Sequence, residues 1–160
     1  MLITRDFRPS DRAAVEEVLT TTGFFNAAEM HVAMELVEER IAEGPDSHYR
    51  FLVAKDGGIT VGYACWGPIL GTESSVDLYW IAVHPRCQGK GVGKALLLAA
   101  EQWIREEGKL RVYIETSSRA QYQPTRVFYL ATGYAVDAVL DDFYSPGDGK
   151  FIFVKVLSPE

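Results

Sequence analysis

The most informative stretch of this sequence is Gln88-Gly89-Lys90-Gly91-Val92-Gly93, a glycine-rich hexapeptide in the middle of the chain. An apolar run at 76–83 precedes it and is stopped by His84-Pro85, and a run of good helix formers at 94–105 follows it. A strand, a glycine loop and a helix in this order are typical of pyrophosphate-binding turns. Glycines let the backbone approach the ligand closely, and the first helical N–H groups lack partners within the helix. The hexapeptide therefore predicts a phosphate-bearing cofactor.

The spacing of the glycines excludes two common nucleotide motifs. A P-loop has a glycine, four residues and then Gly-Lys-Ser/Thr, but Gln88 and Ala95 stand where its first glycine and its hydroxyl are required. The dinucleotide fingerprint Gly-x-Gly-x-x-Gly, read from Gly89, ends on Lys94, and a reading that starts two residues later also fails. What remains, Gln-x-x-Gly-x-Gly after a strand, resembles the acyl-CoA loop of the GNAT N-acetyltransferase superfamily. A purely structural turn between a strand and a helix is the alternative interpretation.

Periodicity and turn residues predict eleven elements in the order β-α-α-β-β-β-α-β-α-β-β. The predicted segments are a strand at 2–7, helices at 9–23 and 26–44, strands at 49–55, 59–66 and 76–83, a helix to about 107, a strand at 110–115, a short helix at 124–133, and strands at 134–140 and 151–156. This order predicts an α/β (mixed α+β) fold, a mixed central sheet flanked by about four helices. It is similar to the GNAT fold, in which the sheet is mostly antiparallel, so the resemblance covers nearly the whole chain. We expect one GNAT-like acetyltransferase domain over 1–160.

A second motif supports the same resemblance. GNAT domains often carry an aromatic residue and a tyrosine near a helix end, three further residues, and then glycine and an aromatic residue; here these are Phe128-Tyr129 and Gly133-Tyr134. The resemblance implies that the Tyr129 hydroxyl lies beside the CoA sulfur and protonates the leaving thiolate. Many relatives have asparagine seven residues before this tyrosine, where this chain has Tyr122. That departure concerns one polar contact to pantetheine. Phe128 is expected to seal the helix against the sheet.

Amide formation from an amine and a thioester also needs a group that removes a proton from the amine, because amines near pKa 10 are mostly protonated at neutral pH. Asp77 lies six residues before Val83, where relatives such as histone acetyltransferases place a glutamate base, and strand alternation puts both on one face. A structural hydrogen bond or an exposed edge position is an equally good explanation for Asp77. Glu115, in the next strand, is the rival base, and a water chain is the third possibility.

The resemblance further implies a cofactor-binding set in which the fourth strand holds pantetheine and the glycine loop holds pyrophosphate. The expected members are Ile81, Ala82, Val83, Gln88, Gly89, Lys90, Gly91, Val92, Gly93, Lys94, Thr116, Thr125 and Phe128.

The acceptor is the least determined part of the expected reaction, because one fold serves many acceptors. The resemblance points to two aromatic regions as lining for the acceptor, with the candidates Phe24, Phe25, Tyr79 and Tyr144. Aromatic and acidic lining would suit an amine with apolar character. Hydrophobic packing and a solvated turn explain the same residues equally well. The stretch at 142–150 resembles a less characterised branch of the superfamily, for which no acceptor is expected in particular.

Composition sets limits on the other function classes. With 160 residues, a net charge of −6 and a pI near 5.1, the chain is not expected to bind nucleic acid, although the basic residues Arg86, Lys90 and Lys94 cluster at the glycine loop. Two cysteines and three isolated histidines predict neither a disulfide framework nor a metal site. No signal peptide or membrane span is apparent, so we expect a soluble cytoplasmic protein, with a homodimer as one option. The leading hypothesis is an acetyl-CoA-dependent N-acetyltransferase acting on a primary amine, and the rival is a non-catalytic acyl-CoA-binding module.

Overall fold

The computed structural model describes residues 1–159, with seven strands and four α-helices. The strands are β1 (Leu2–Thr4), β2 (Arg50–Asp56), β3 (Ile59–Pro68), β4 (Ser75–Val83), β5 (Arg111–Ser117), β6 (Ala135–Ser145) and β7 (Asp148–Val156). The helices are α1 (Arg12–Thr22), α2 (Ala27–Glu43), α3 (Val92–Glu106) and α4 (Gln123–Ala131). The strands form one sheet in the order β1-β2-β3-β4-β5-β7-β6, in which β4 and β5 are parallel and β1–β2, β2–β3, β5–β7 and β6–β7 are antiparallel. This confirms the predicted fold class and the predicted order of the elements.

The start of α2 shows how directly some local signals determine structure. Asn26 Oδ1 accepts a hydrogen bond from the Glu29 N–H at 2.8 Å, and Glu29 Oε1 accepts one from the Asn26 N–H at 3.3 Å. This reciprocal pair is the predicted capping box, and such caps stabilise a helix by about 1 kcal/mol. The helix therefore begins where the sequence predicts.

The larger differences from prediction lie in four segments: the first strand, the first helix and the last two strands. The segment at 2–7 is strand only to Thr4, because Thr4 Oγ1 accepts a hydrogen bond from the Asp6 N–H at 3.1 Å and the chain turns there. The helix predicted from Pro9 begins with a 3₁₀ turn. The last two strands are longer than predicted, since the hairpin continues to the Ser145–Asp148 pair through two irregularities in register. Register shifts of this kind leave no clear trace in sequence periodicity.

The chain divides into two compact units, and the first comprises Met1–Gly67 and Tyr79–Trp103. Its core is apolar and includes Val15, Leu19, Val37, Phe51 and Tyr63. A buried ion pair fixes the start of α1 in this unit. The Asp11 carboxylate lies 3.0 Å from both Lys55 Nζ and Thr60 Oγ1, and it accepts the Arg8 N–H at 2.8 Å.

The second unit comprises Pro68–Leu78 and the chain from Ile104 onward. Buried apolar side chains of β5 and β7, Val112, Ile114 and Phe153, form its centre. Within this unit β4 and β5 pair in parallel, with Asp77 opposite Tyr113. Within residues 1–159, no helix is both long and apolar enough to cross a membrane.

Candidate functional site

The glycine loop lies in the first unit and is fastened to the end of β4 by the side chain of Gln88. Gln88 Nε2 donates a hydrogen bond to the Val83 carbonyl at 3.1 Å, and the Gln88 N–H donates to the Pro85 carbonyl at 3.3 Å. His84 Nδ1 accepts the Arg86 N–H at 3.2 Å and so closes the short 3₁₀ turn between strand and loop. Both nitrogen atoms of Gln88 therefore donate hydrogen bonds within the protein, and this residue shapes the loop.

Helix α3 presents backbone donors at its start. Its first i→i−4 hydrogen bond runs from the Ala95 N–H to the Gly91 carbonyl at 3.0 Å, so the N–H groups of residues 92–94 precede the helical ladder. Gly91 has φ +82°, a conformation that side chains with a Cβ rarely adopt, and a Cβ placed there would meet no atom within 4 Å. The loop is thus open at this point, and the positive end of the helix dipole favours an anion there.

The surroundings of the loop suit an anionic ligand. Arg86, Lys90 and Lys94 are all exposed, so their charges are free to act on a ligand in solvent. In β4, Ile81 and Val83 are half-buried whereas Ala82 is buried. A Cβ at Gly62 would lie 3.0 Å from the Ala82 carbonyl and 3.3 Å from Leu96 Cδ1. Gly62 was missed by the sequence analysis; a glycine inside a strand was the available signal of close backbone approach.

Tyr129 lies in the second unit, on the buried side of α4. Only 5% of it is exposed, and its ring packs 5.7 Å from that of Tyr134 and 5.9 Å from that of Phe153. Burial raises the pKa of Tyr129 far above that of an ordinary phenol. The hydroxyl therefore stays protonated at neutral pH, as a proton donor must. Phe128 is half-buried beside it, with the two ring centroids 5.3 Å apart.

Thr116, another residue of the predicted cofactor set, carries a buried hydroxyl without a partner. It is 5% exposed, and its Oγ1 makes no hydrogen bond among residues 1–159. Buried hydroxyls are nearly always hydrogen-bonded, so an orphan is a natural contact for a bound ligand. Thr125, on α4 in the same unit, is half-buried.

Two carboxylates and one ammonium group form a charged cluster in the second unit. Lys150 Nζ lies 2.8 Å from Glu115 Oε2, so the two side chains form an ion pair. Burial raises the pKa of Asp77, the charge of Glu115 raises it further, and the charge of Lys150 opposes both. A raised carboxyl pKa is the direction required of a general base that works near neutral pH. Of the two carboxylates, Asp77 is the one without an ion-pair partner within 4 Å among the described residues.

Lys150 was not among the residues expected from the sequence. It is 9% exposed, and its ammonium group lies 3.8 Å from the centre of the Phe143 ring and 5.7 Å from that of Tyr144. Lysines are rarely buried unless they are paired. Its position opposite Ser117 on β5 depends on strand register, which the sequence does not show. The only local signal was that Lys150 stands between Gly149 and Phe151, directly before a predicted strand.

The four predicted acceptor residues fall in both units. In the first unit, Phe25 packs 6.3 Å from Trp80 and Tyr79 packs 5.6 Å from Tyr49, measured between ring centroids, and Phe24 is half-buried. Burial raises the pKa of Tyr49, and the charges of Glu39 and Glu35 add to this effect. In the second unit Tyr144 is about half exposed. No group of three His, Cys, Asp or Glu side chains in the described chain is arranged to hold a metal ion.

Comparison with known proteins identifies the family. Residues 14–134 match the model of the acetyltransferase (GNAT) family. A crystallised GNAT-family protein from Desulfovibrio desulfuricans superposes with a TM-score of 0.91 at 39% identity, covering 98% of this chain and 99% of that one. The structure of yncA from Salmonella typhimurium, which contains acetyl-CoA, gives a TM-score of 0.76 at 22% identity and covers 100% of this chain and 95% of that one.

Among curated relatives, the uncharacterized N-acetyltransferase MJ1530 of Methanocaldococcus jannaschii is 30% identical over 105 residues, which are 66% of this chain and 65% of that protein. The chain spans between 40% and 65% of the length of the curated relatives it matches. The family model nevertheless covers most of the chain, from α1 to the Tyr129 motif, and includes the glycine loop. The chain therefore belongs to the acetyltransferase (GNAT) family.

Proposed function

We propose that this protein is an acetyl-CoA-dependent N-acetyltransferase that acetylates a primary amine of a small molecule, an amino acid or a peptide. The observation that carries the proposal is the open glycine loop at the start of α3, where backbone N–H groups precede the helical ladder. Family membership and the acetyl-CoA in the yncA structure support the same cofactor. A cytoplasmic location and a homodimer stay predictions.

The residues of the loop and its neighbours fit a CoA-type ligand. The N–H groups of residues 92–94 and the charges of Arg86, Lys90 and Lys94 would hold the phosphates. The backbone of Ile81 and Val83 would hold pantetheine. In the second unit, the orphan hydroxyl of Thr116 is a separate candidate contact for a bound ligand. Bound acetyl-CoA supplies an activated acetyl group, which the amine attacks directly.

Two side chains would then move the protons that the reaction requires. Asp77 accepts a proton from the amine, which makes the nitrogen nucleophilic. Tyr129 donates its phenolic proton to the leaving sulfur. Its raised pKa keeps the phenol protonated at neutral pH, so the hydroxyl can donate a hydrogen bond to the developing thiolate. Glu115 is the rival base, but its ion pair with Lys150 favours Asp77 in this role.

The acceptor amine would carry an apolar group. The pairs Phe25–Trp80 and Tyr49–Tyr79 present partly buried aromatic surface in the first unit. The charges of Glu39 and Glu35 act on Tyr49, so acidic groups accompany this aromatic surface. Aromatic rings beside carboxylates favour a cation with an apolar body.

The test combines turnover with binding. Thiol release from acetyl-CoA is measured across a panel of small amines, amino acids and peptides with free N-termini, while calorimetry measures CoA binding. We expect CoA binding and turnover of at least one amine, with preference for apolar or aromatic acceptors. Tight binding of CoA without turnover of any amine would instead identify an acyl-CoA-binding module.

A further inference from the structure

Lys150 stands out among the residues that the proposed reaction does not use. Its ammonium group is buried between the Glu115 carboxylate at 2.8 Å and the face of the Phe143 ring at 3.8 Å. Ordering a lysine side chain in this way costs both rotamer entropy and solvation. The burial of this charge therefore depends on the ion pair with Glu115 and on the contact with the Phe143 ring.

The strand register places the cluster on one face of the sheet. Tyr113, Glu115 and Ser117 are every second residue of β5, so their side chains lie on the same face of the sheet. Asp77 pairs with Tyr113 and Lys150 pairs with Ser117, and paired residues share a face. Like charges on neighbouring strands destabilise one another. A single cation beside Glu115 relieves this repulsion between the two carboxylates.

We propose that Lys150 is a positioning residue of the reaction, which holds Glu115 in an ion pair and keeps Asp77 ionised as the free carboxylate that accepts the amine proton. The inference rests on the proposed function and assigns the rival carboxylate, Glu115, a supporting part. Phe143 covers the ammonium group, so the ion pair is partly shielded from solvent. Shielding strengthens the interaction between charges.

The charged groups that act on Asp77 come from two other strands of the sheet. Glu115 on β5 and Lys150 on β7 act through their charges, and Asp77 itself is partly desolvated on β4. Its register partner Tyr113 accepts a hydrogen bond from Arg111 Nε at 3.3 Å. Removal of the Lys150 charge thus leaves Asp77 facing an unpaired Glu115.

The experiment follows the Asp77 carboxyl group directly, by ¹³C NMR titration, in the wild type and in Lys150→Met. Methionine keeps most of the length and apolar contact of lysine but removes its charge. We expect the pKa of Asp77 to rise by about 1 or more, a usual effect of one nearby charge. Glu115→Gln should lower it, and Lys150→Arg should restore the wild-type value. In each variant, the acidic limb of the pH profile of kcat/KM should shift together with the Asp77 midpoint that NMR measures.

Lys155→Met is the matched control, because Lys155 lies on the same strand but an odd number of residues away and donates to the Thr132 carbonyl at 3.0 Å. Its loss should leave the Asp77 titration unchanged. Thermal denaturation and CoA calorimetry show that each variant is folded. An unmoved Asp77 midpoint in folded Lys150→Met overturns the inference, and so does a midpoint that moves while the kcat/KM limb stays. Both results leave the acetyltransferase assignment intact, whereas a wild type without turnover of any amine overturns both.

Discussion

Burial and the Glu115 carboxylate both raise the pKa of Asp77. A higher pKa makes this carboxylate a stronger base. If Asp77 accepts the amine proton, Asp77→Asn should lower kcat/KM by about 10²–10⁴-fold near neutral pH. The loss should shrink as the pH approaches the pKa of the amine, because more substrate then arrives neutral. Steady-state rates at a series of pH values measure this. An equal loss at every pH would assign the base to Glu115 or to water.

Tyr129 is the second residue proposed to move a proton, since its buried hydroxyl is proposed to protonate the leaving thiolate. Tyr129→Phe should lower kcat by about 10²-fold, the usual contribution of a general acid, and should leave CoA affinity nearly unchanged. Phenylalanine keeps the ring contacts with Tyr134 and Phe153. Tyr134→Phe is the control, since it removes a neighbouring buried phenol. Equal rates for wild type and Tyr129→Phe, with chemistry limiting, would leave Tyr129 a packing residue.

Among the secondary-structure elements and loops, the glycine loop and the start of α3 give the strongest structural support for ligand binding. Gly91→Glu should abolish CoA binding, because a carboxylate would stand where backbone N–H groups meet phosphate. Calorimetry measures the affinity, and the loss of CoA-induced thermal stabilisation gives a second readout.

Two controls separate this effect from backbone strain. Gly58 has the same φ as Gly91, +82°, and lies in the exposed β2–β3 turn, so Gly58→Glu should bind CoA normally despite similar strain. Gly91→Ala adds the strain without the charge and should retain part of the affinity. Wild-type affinity in folded Gly91→Glu would show that the phosphates bind elsewhere.

The elements also show which features a sequence can predict. The glycine loop, the Asn26 cap and the proline at the start of α4 were predictable, because each depends on contacts within a few residues. The Glu115–Lys150 pair was not, since it joins residues 35 positions apart through the register of β5 and β7. Register depends on bulges and on the turn after Ser145, and neither has a strong periodic signal.

The pKa values of Asp11 and Asp77 are shifted in opposite directions, so the two carboxyl groups affect the pH dependence of stability in opposite senses. Burial of Asp11 would raise its pKa, but hydrogen bonds from the Arg8 N–H, Lys55 and Thr60 outweigh burial and hold the pKa below its ordinary value. A lowered pKa in the folded state contributes stability above the unfolded value of 3.8, which is lost as the pH falls. Asp11 therefore stabilises the fold at neutral pH, and its protonation contributes to acid unfolding.

Asp77 has the reverse sign, because its pKa is raised in the folded state. Its contribution is favourable below the unfolded pKa of 3.8 and is lost as the pH rises through the folded value, so the ionised group destabilises the protein at neutral pH. Asp77→Asn should consequently have a higher Tm than wild type at about pH 7, and this difference should shrink towards about pH 3, where both carry a neutral side chain. Thermal denaturation at several pH values measures Tm against pH for wild type and for Asp77→Asn. Asp11 is present in both proteins and contributes equally to the two curves. A gain in stability together with a loss of kcat/KM is the result expected of a charge kept for chemistry. A Tm for Asp77→Asn at or below the wild-type value near neutral pH would show instead that the carboxylate supports the fold.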